Sequence, residues 1–224
     1  MKRASLLLGI AFLAFIILSQ NGTQAVNQTF AERFAAGPAV GDSGSYSFDK
    51  AHSFIQFSVN HTGLVNVPGF FRDFTGTVNF DAKDITKSSV EFTAKANSID
   101  TGVAPRDNHL RSADFFEVDK YPDITFKSTK VEKRGKGFLL TGDFTMKGVT
   151  KSITFPFQIA GWLPANDKSS GKMGIVAETS INRRDYGVNW GSNLPGTSIP
   201  AVSDNVKISL QIEAGKKKDA PKAN

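Results

Sequence analysis

Eight stretches of this chain alternate apolar and polar residues with period two, and no other feature limits the fold as strongly. The first sets Ile55, Phe57, Val59 and His61 on one face, against Gln56, Ser58 and Asn60 on the other. Phe74, Gly76, Val78 and Phe80 line the second, and Val90, Phe92, Ala94 and Ala96 the third. Ile124, Phe126 and Ser128 form the fourth, and Phe138, Leu140, Gly142 and Phe144 the fifth. Ile153, Phe155, Phe157 and Ile159 give the sixth, and Met173, Ile175, Ala177 and Thr179 the seventh. Val206, Ile208, Leu210 and Ile212 end the set.

Each stretch is apolar on one side only. That fits antiparallel pairing, because strands of a buried parallel sheet are apolar on both faces. Most connections are short, with turns expected at Gly135–Gly137 and Lys147-Gly148 and a polar loop at Pro164–Gly171. Closing eight such strands into a barrel leaves no exposed edge. The expected fold is therefore all-β, an eight-stranded antiparallel barrel with a short helix between the third and fourth strands; a two-sheet sandwich is the alternative. The outward faces carry Glu91, Lys95, Lys127, Lys207 and Glu213. Charges at mid-strand facing lipid are costly, so the barrel is not an outer-membrane one, and its apolar face points inward.

The connection Pro105–Ser128 is no ordinary turn. Pro105 suits the first turn of a helix, and Asp107 there complements the helix dipole. Leu110, Ala113 and Phe116 recur every three residues, giving a short helix one apolar face. Such a helix can act as a lid or wedge at one end of the barrel, or as a plain crossover that fills core.

Whether the barrel is filled or hollow decides its function. An eight-stranded barrel is just wide enough to be packed with side chains or to hold one slender ligand. The inward faces mix Phe, of which the chain has 19, with Gly76, Ala94, Ala96, Gly142 and Ala177. Small residues opposite large ones can keep a core dense, or can clear a bore. A bore so lined is nearly free of ionisable groups and suits an extended hydrocarbon chain. The pattern leaves both readings open.

The first 25 residues read as a leader. Lys2 and Arg3 precede an apolar run of 13, Leu6–Leu18, with small residues before a cleavage site near Ala25. A periplasmic, exported protein is the expectation, with an uncleaved anchor as the alternative. Without Lys2 and Arg3 the net charge falls from +6 to +4, because 25 basic residues then face 21 acidic ones. Part of that charge sits in a basic tail, 215–224, which could touch an anionic membrane weakly. Residues 26–45 read as a linker, with one helical turn at Phe30–Ala36, and 46–214 as the single domain. There is no Cys, which excludes disulfides and a thiolate nucleophile, and three scattered His make a metal site improbable. No basic patch interleaved with aromatics points to nucleic acid.

Several motifs occur in order: Tyr46-Ser47-Phe48-Asp49 with His52-Ser53-Phe54-Ile55-Gln56-Phe57; Gly69-Phe70-Phe71; Ser98-Ile99-Asp100-Thr101-Gly102; Asp107-Asn108-His109-Leu110-Arg111-Ser112-Ala113-Asp114-Phe115-Phe116; Tyr121-Pro122-Asp123-Ile124-Thr125-Phe126; Gly142-Asp143-Phe144-Thr145 with Gly148-Val149-Thr150; and Arg184-Asp185-Tyr186-Gly187. Over residues 46–214 the chain resembles the YceI-like family of lipocalin-like, polyisoprenoid-binding periplasmic proteins. The resemblance implies a barrel that holds a long isoprenoid, either a polyprenyl phosphate or an isoprenoid quinone. It also implies a periplasmic location and often a homodimer; no cofactor is expected. The long Gly/Asn/Pro-rich loop Asp185–Ser203 and the basic tail depart from it.

The residues expected to wall the ligand are Phe57, Val59, His61, Phe74, Val78, Phe80, Phe92, Ala94, Phe126, Phe144, Phe155, Phe157, Ile175 and Ala177, with Arg183 and Trp190 at the loop. His61 could donate to a head group or simply be a hydrogen-bonded rim histidine. Arg183 and Arg184 could grip a phosphate or bridge to an Asp that fixes the loop. Trp190 could cover an opening or anchor the loop. Three functions follow: a non-enzymatic isoprenoid carrier; a structural or stress-response module with a packed barrel; and a hydrolase acting on a lipid head group through His109, Asp107 or Asp185. For the last, no nucleophile elbow or paired carboxylate is evident.

Overall fold

The computed structural model describes residues 41–135, 137–166 and 169–217. The leader, its cleavage site, the helical turn at 30–36 and most of the linker and tail lie outside the described residues. Eleven strands occur: β1 Gly44–Phe48, β2 Phe54–His61, β3 Val65–Phe71, β4 Phe74–Phe80, β5 Ser89–Lys95, β6 Ile99–Asp100, β7 Asp123–Arg134, β8 Gly137–Met146, β9 Val149–Leu163, β10 Lys172–Asn182 and β11 Val202–Lys216. All the pairings are antiparallel, and the order β1-β4-β5-β7-β8-β9-β10-β11 closes on itself because β11 also pairs with β1. The barrel thus has eight positions around its ring and no open edge there.

The three extra strands come from bends. β1 and β2 lie along the same neighbour: Tyr46 pairs with Lys216 and Phe57 with Ile208, both on β11. The turn at 49–53 breaks one long strand in two, and Arg72-Asp73 does the same to β3 and β4. The sequence pattern missed β1, which begins at the end of the expected linker, and β3. Pro68 and Gly69 hide β3. Pro68 is tolerated because this part of β3 pairs only with β2, β6 reaching no further than Phe70 and Phe71. Gly69 lies under the Phe57 ring, where a Cβ would come within 2.2 Å.

Two more expectations are corrected. The helix α1, Ala104–Arg111, is eight residues long, and Ala113 lies exposed beyond it. Its apolar underside is made by Leu110 with Phe115 and Phe116 from the following turns, Phe115 being buried. In β7 a bulge between Ser128 and Lys130 shifts the phase, so Val131 is the next buried residue. β11 continues to Lys216, so the expected tail begins as strand. At Lys147-Gly148, both φ values are positive, 49° and 75°, as a two-residue hairpin with matching twist requires. Outside the barrel, Glu91 faces Lys127 across β5 and β7.

Candidate functional site

The inward face of the barrel surrounds a cavity of about 290 Å³, followed along the axis by a second of about 70 Å³. Ile55, Phe92, Phe126, Phe155 and Leu210 line both. They form a partition across the bore, in which Phe92 stacks on Phe126 at 5.8 Å and Phe126 meets Phe155 at 5.4 Å. Near Phe80, which lines the smaller chamber, three aromatic rings pack together. Tyr46, wholly buried, packs edge-on against Trp162 at 5.1 Å, and Trp162 lies 5.5 Å from Phe80. Burial, and then the charge of Asp42, push the Tyr46 phenol up to about 12, while its hydroxyl donates to the Asp42 carbonyl.

The larger chamber opens at the other end, where its lining residues His61, His109 and Trp190 are exposed. Polar lining groups gather there: His61 on β2, Thr101 and Arg106 at the start of α1, His109 on α1, and Arg183. Trp190 spans the mouth. Its ring lies 5.1 Å from those of both His109 and Phe115. His109 in turn hydrogen bonds Asp114 at 2.8 Å.

Arg183 holds the loop that carries Trp190. It is 4% exposed, and its guanidinium donates to the carbonyls of Ser203, Val188 and Trp190 and to the Asp204 carboxylate. Burial lowers its pKa, opposed by Asp204. Arg184 shares Asp204 at 2.7 Å. With these donors committed, Arg183 has no free edge for bidentate pairing with a phosphate. Arg106 donates from Nε and Nη2 to the hydroxyl and carbonyl of Thr101, and its Nη1 has no hydrogen-bond partner among the described residues. The Nδ1 of His61 is 3.4 Å from the Thr62 hydroxyl, and its Nε2 has no hydrogen-bond partner among the described residues.

Of the wall residues expected from sequence, Phe57, Val59, His61, Ala94, Phe144, Arg183 and Trp190 line the larger chamber, and Val78, Phe80, Phe157, Ile175 and Ala177 the smaller. Phe92, Phe126 and Phe155 stand between them. Phe74 lines neither and packs in the core. Gly76 and Gly142 do not widen the bore. A Cβ at Gly76 would meet the Phe48 ring at 2.4 Å, and one at Gly142 the Phe126 ring at 2.5 Å. Sequence reasoning missed Val67, Thr101, Arg106, Phe115 and Phe116 as wall. Val67 lies on the unrecognised β3, and the others follow no strand period.

On the outer surface Asp49, His52 and Glu213 bring three potential metal-binding atoms within 4.8 Å. Lys172 already supplies the cation there, bonding Glu213 at 2.5 Å and lying 3.8 Å from Asp49. The His52 hydrogen bond is the main reason the Asp49 carboxyl sits below its usual range.

A profile of the YceI-like domain matches residues 46–214. Protein YceI of Escherichia coli O157:H7 is 38% identical over 194 residues, spanning 85% of this chain and 96% of that protein. Its counterpart in Salmonella arizonae is 36% identical over 188 residues, spanning 83% and 93%. Among solved structures, Burkholderia cenocepacia BcnA aligns with a TM-score of 0.63 at 25% identity, over 74% of this chain and 98% of that one. The Campylobacter jejuni YceI protein aligns at 0.62 with 31% identity, over 71% and 90%. A polyisoprenoid binding domain from Saccharophagus degradans shares the fold, at 0.56 and 17% identity over 77% and 98%.

Proposed function

The chain belongs to the YceI-like family, and on that footing we propose that it is a non-enzymatic binding protein that holds the hydrocarbon tail of a long-chain isoprenoid lipid inside its barrel. The observation that carries this reading is an apolar cavity inside the barrel, with His61, His109 and Trp190 exposed at its rim. An apolar cavity of about 290 Å³ stays dry and takes up apolar guests in preference to water. Burying the chain contributes about 25 cal/mol per Å² before ordering costs.

The ligand is a polyprenyl phosphate or an isoprenoid quinone. At the mouth Arg183 is committed to the protein, while the Arg106 Nη1 and the His61 Nε2 make no hydrogen bond among the described residues and can meet a head group of either kind. The same reading sets the protein in the periplasm, exported by the leader-like segment, with transient membrane contact and homodimer formation as its partner states. A packed structural barrel is the competing reading, and the partition favours it: Ile55, Phe92, Phe126, Phe155 and Leu210 must move before one chain can occupy both chambers. Organic-solvent extraction of the purified protein followed by mass spectrometry tests the proposal. A stoichiometric isoprenoid supports it, and a consistently empty barrel supports the packed alternative.

A further inference from the structure

Seven large apolar side chains are exposed among the described residues, and five of them, Leu64, Val65, Val103, Trp190 and Ile199, stand around the mouth. Leu64 is 83% exposed and Val65 56%, at the tip of the β2–β3 hairpin. Thr62 donates to the Ala201 carbonyl, and a Cβ on Gly63 would touch Ile199, so the hairpin tip and the 186–203 loop form one surface. Trp190 joins that loop to α1, which Val103 caps. Val65 pairs with His61, and Val67 with Val59, so the apolar inner wall continues outward to the tip.

The charge distribution supports the same surface. Residues 51–71 and 186–203 contain no Asp, Glu, Lys or Arg, in a chain that is 21% charged; 21% of those 39 positions is about eight. The carboxylates nearest the mouth are also occupied. Asp107 is buried and accepts from Thr101, Asp114 accepts from His109, and Asp204 from two arginines.

We infer that this uncharged collar rests on the surface of a zwitterionic bilayer, with Leu64, Val65, Ile199 and Trp190 entering the interfacial region around the mouth. Projecting apolar tips and a rim Trp, on segments that carry no charged side chain, suit the bilayer interface. Five side chains fall well short of the roughly 20–30 residues a side of a stable protein interface, and a second copy seated there would seal both mouths. Among the described residues no helix is long and apolar enough to cross a membrane, so the contact is peripheral. The inference rests on the lipid-binding reading for its purpose, but its test is separate.

Full-length protein is floated with phosphatidylcholine vesicles, alongside a Leu64→Glu/Ile199→Glu variant. The wild type is expected to float, and the variant to lose about tenfold of its partitioning, with unchanged circular dichroism and extracted lipid content. A wild type that stays in the dense fraction overturns the inference, as does a variant that floats equally. Binding that needs anionic vesicles and vanishes with salt also overturns it, by assigning contact to the basic tail. So does a variant whose only change is a smaller oligomer, which would assign the collar to a second copy. Loss of bound lipid from a wild type that still floats counts against the carrier reading alone.

Discussion

The Trp190 indole meets the His109 imidazole edge-on, ring centroids 5.1 Å apart and planes at 89°. This contact bridges the long loop and α1 across the mouth of the bore, and Arg183 fixes its loop side through the Trp190 carbonyl. Widening the mouth on this side therefore means separating these two rings.

Replacing Trp190 with Ala should speed exchange of a bound fluorescent fatty probe several-fold. The lost aromatic contacts are worth about 0.5–1.5 kcal/mol each, and the ring is partly exposed, so the fold should survive. Stopped-flow dissociation beside a thermal melt checks both halves.

Arg183→Met should destabilise the protein by about 1–3 kcal/mol, because it leaves three loop carbonyls without their buried donor while Asp204 keeps Arg184. Arg183→Lys should fail to rescue, since an ammonium cannot reach the same set of acceptors. Chemical denaturation of both variants, with Trp190 fluorescence as a report on the loop, measures this.

How much was legible in sequence follows from these residues. The ring of strands and the inward Phe set came from period-two alternation, a local property. Arg183 and Trp190 could be singled out, but their joint role depends on a loop that closes back through Asp204, which no period encodes. The small residues were ambiguous for a physical reason. Ala94 borders empty space, while Gly142 lies under a phenylalanine ring, and both look alike in an alternating pattern. β3 was hidden because its Pro68 and Gly69 are strand-breaking types made tolerable by a free edge and the Phe57 ring.

Gly142→Ala should therefore cost about 1–3 kcal/mol by overpacking against Phe126 and the Lys127 carbonyl, which a Cβ would approach to 2.5 Å. Phe92→Ala should act differently. It should destabilise by about 3–5 kcal/mol yet merge the two chambers, so longer chains gain affinity relative to short ones. Paired melts and chain-length binding series separate the two effects.

Stability should fall on the alkaline side as Tyr46 resists ionisation. Its folded pKa of about 12 lies above the value near 10 of an unfolded tyrosine, so its contribution is complete below pH 10 and is lost as pH rises toward 12. That difference is worth about 2–3 kcal/mol. Tyr46→Phe should flatten this part of the pH–stability curve, and tyrosinate absorbance should show it removing one of two late-titrating phenols, the other being Tyr186, which burial also pushes up.

The most direct test is uptake by delipidated protein. Titrated with an isoprenoid quinone, the wild type should saturate at one chain per barrel. Ala94→Phe should bind little, because its new ring projects toward a chamber of about 290 Å³, at a cost of about 1–3 kcal/mol since Ala94 is buried. No saturable uptake by the wild type, or equal uptake by the blocked variant, would contradict a ligand held within the bore.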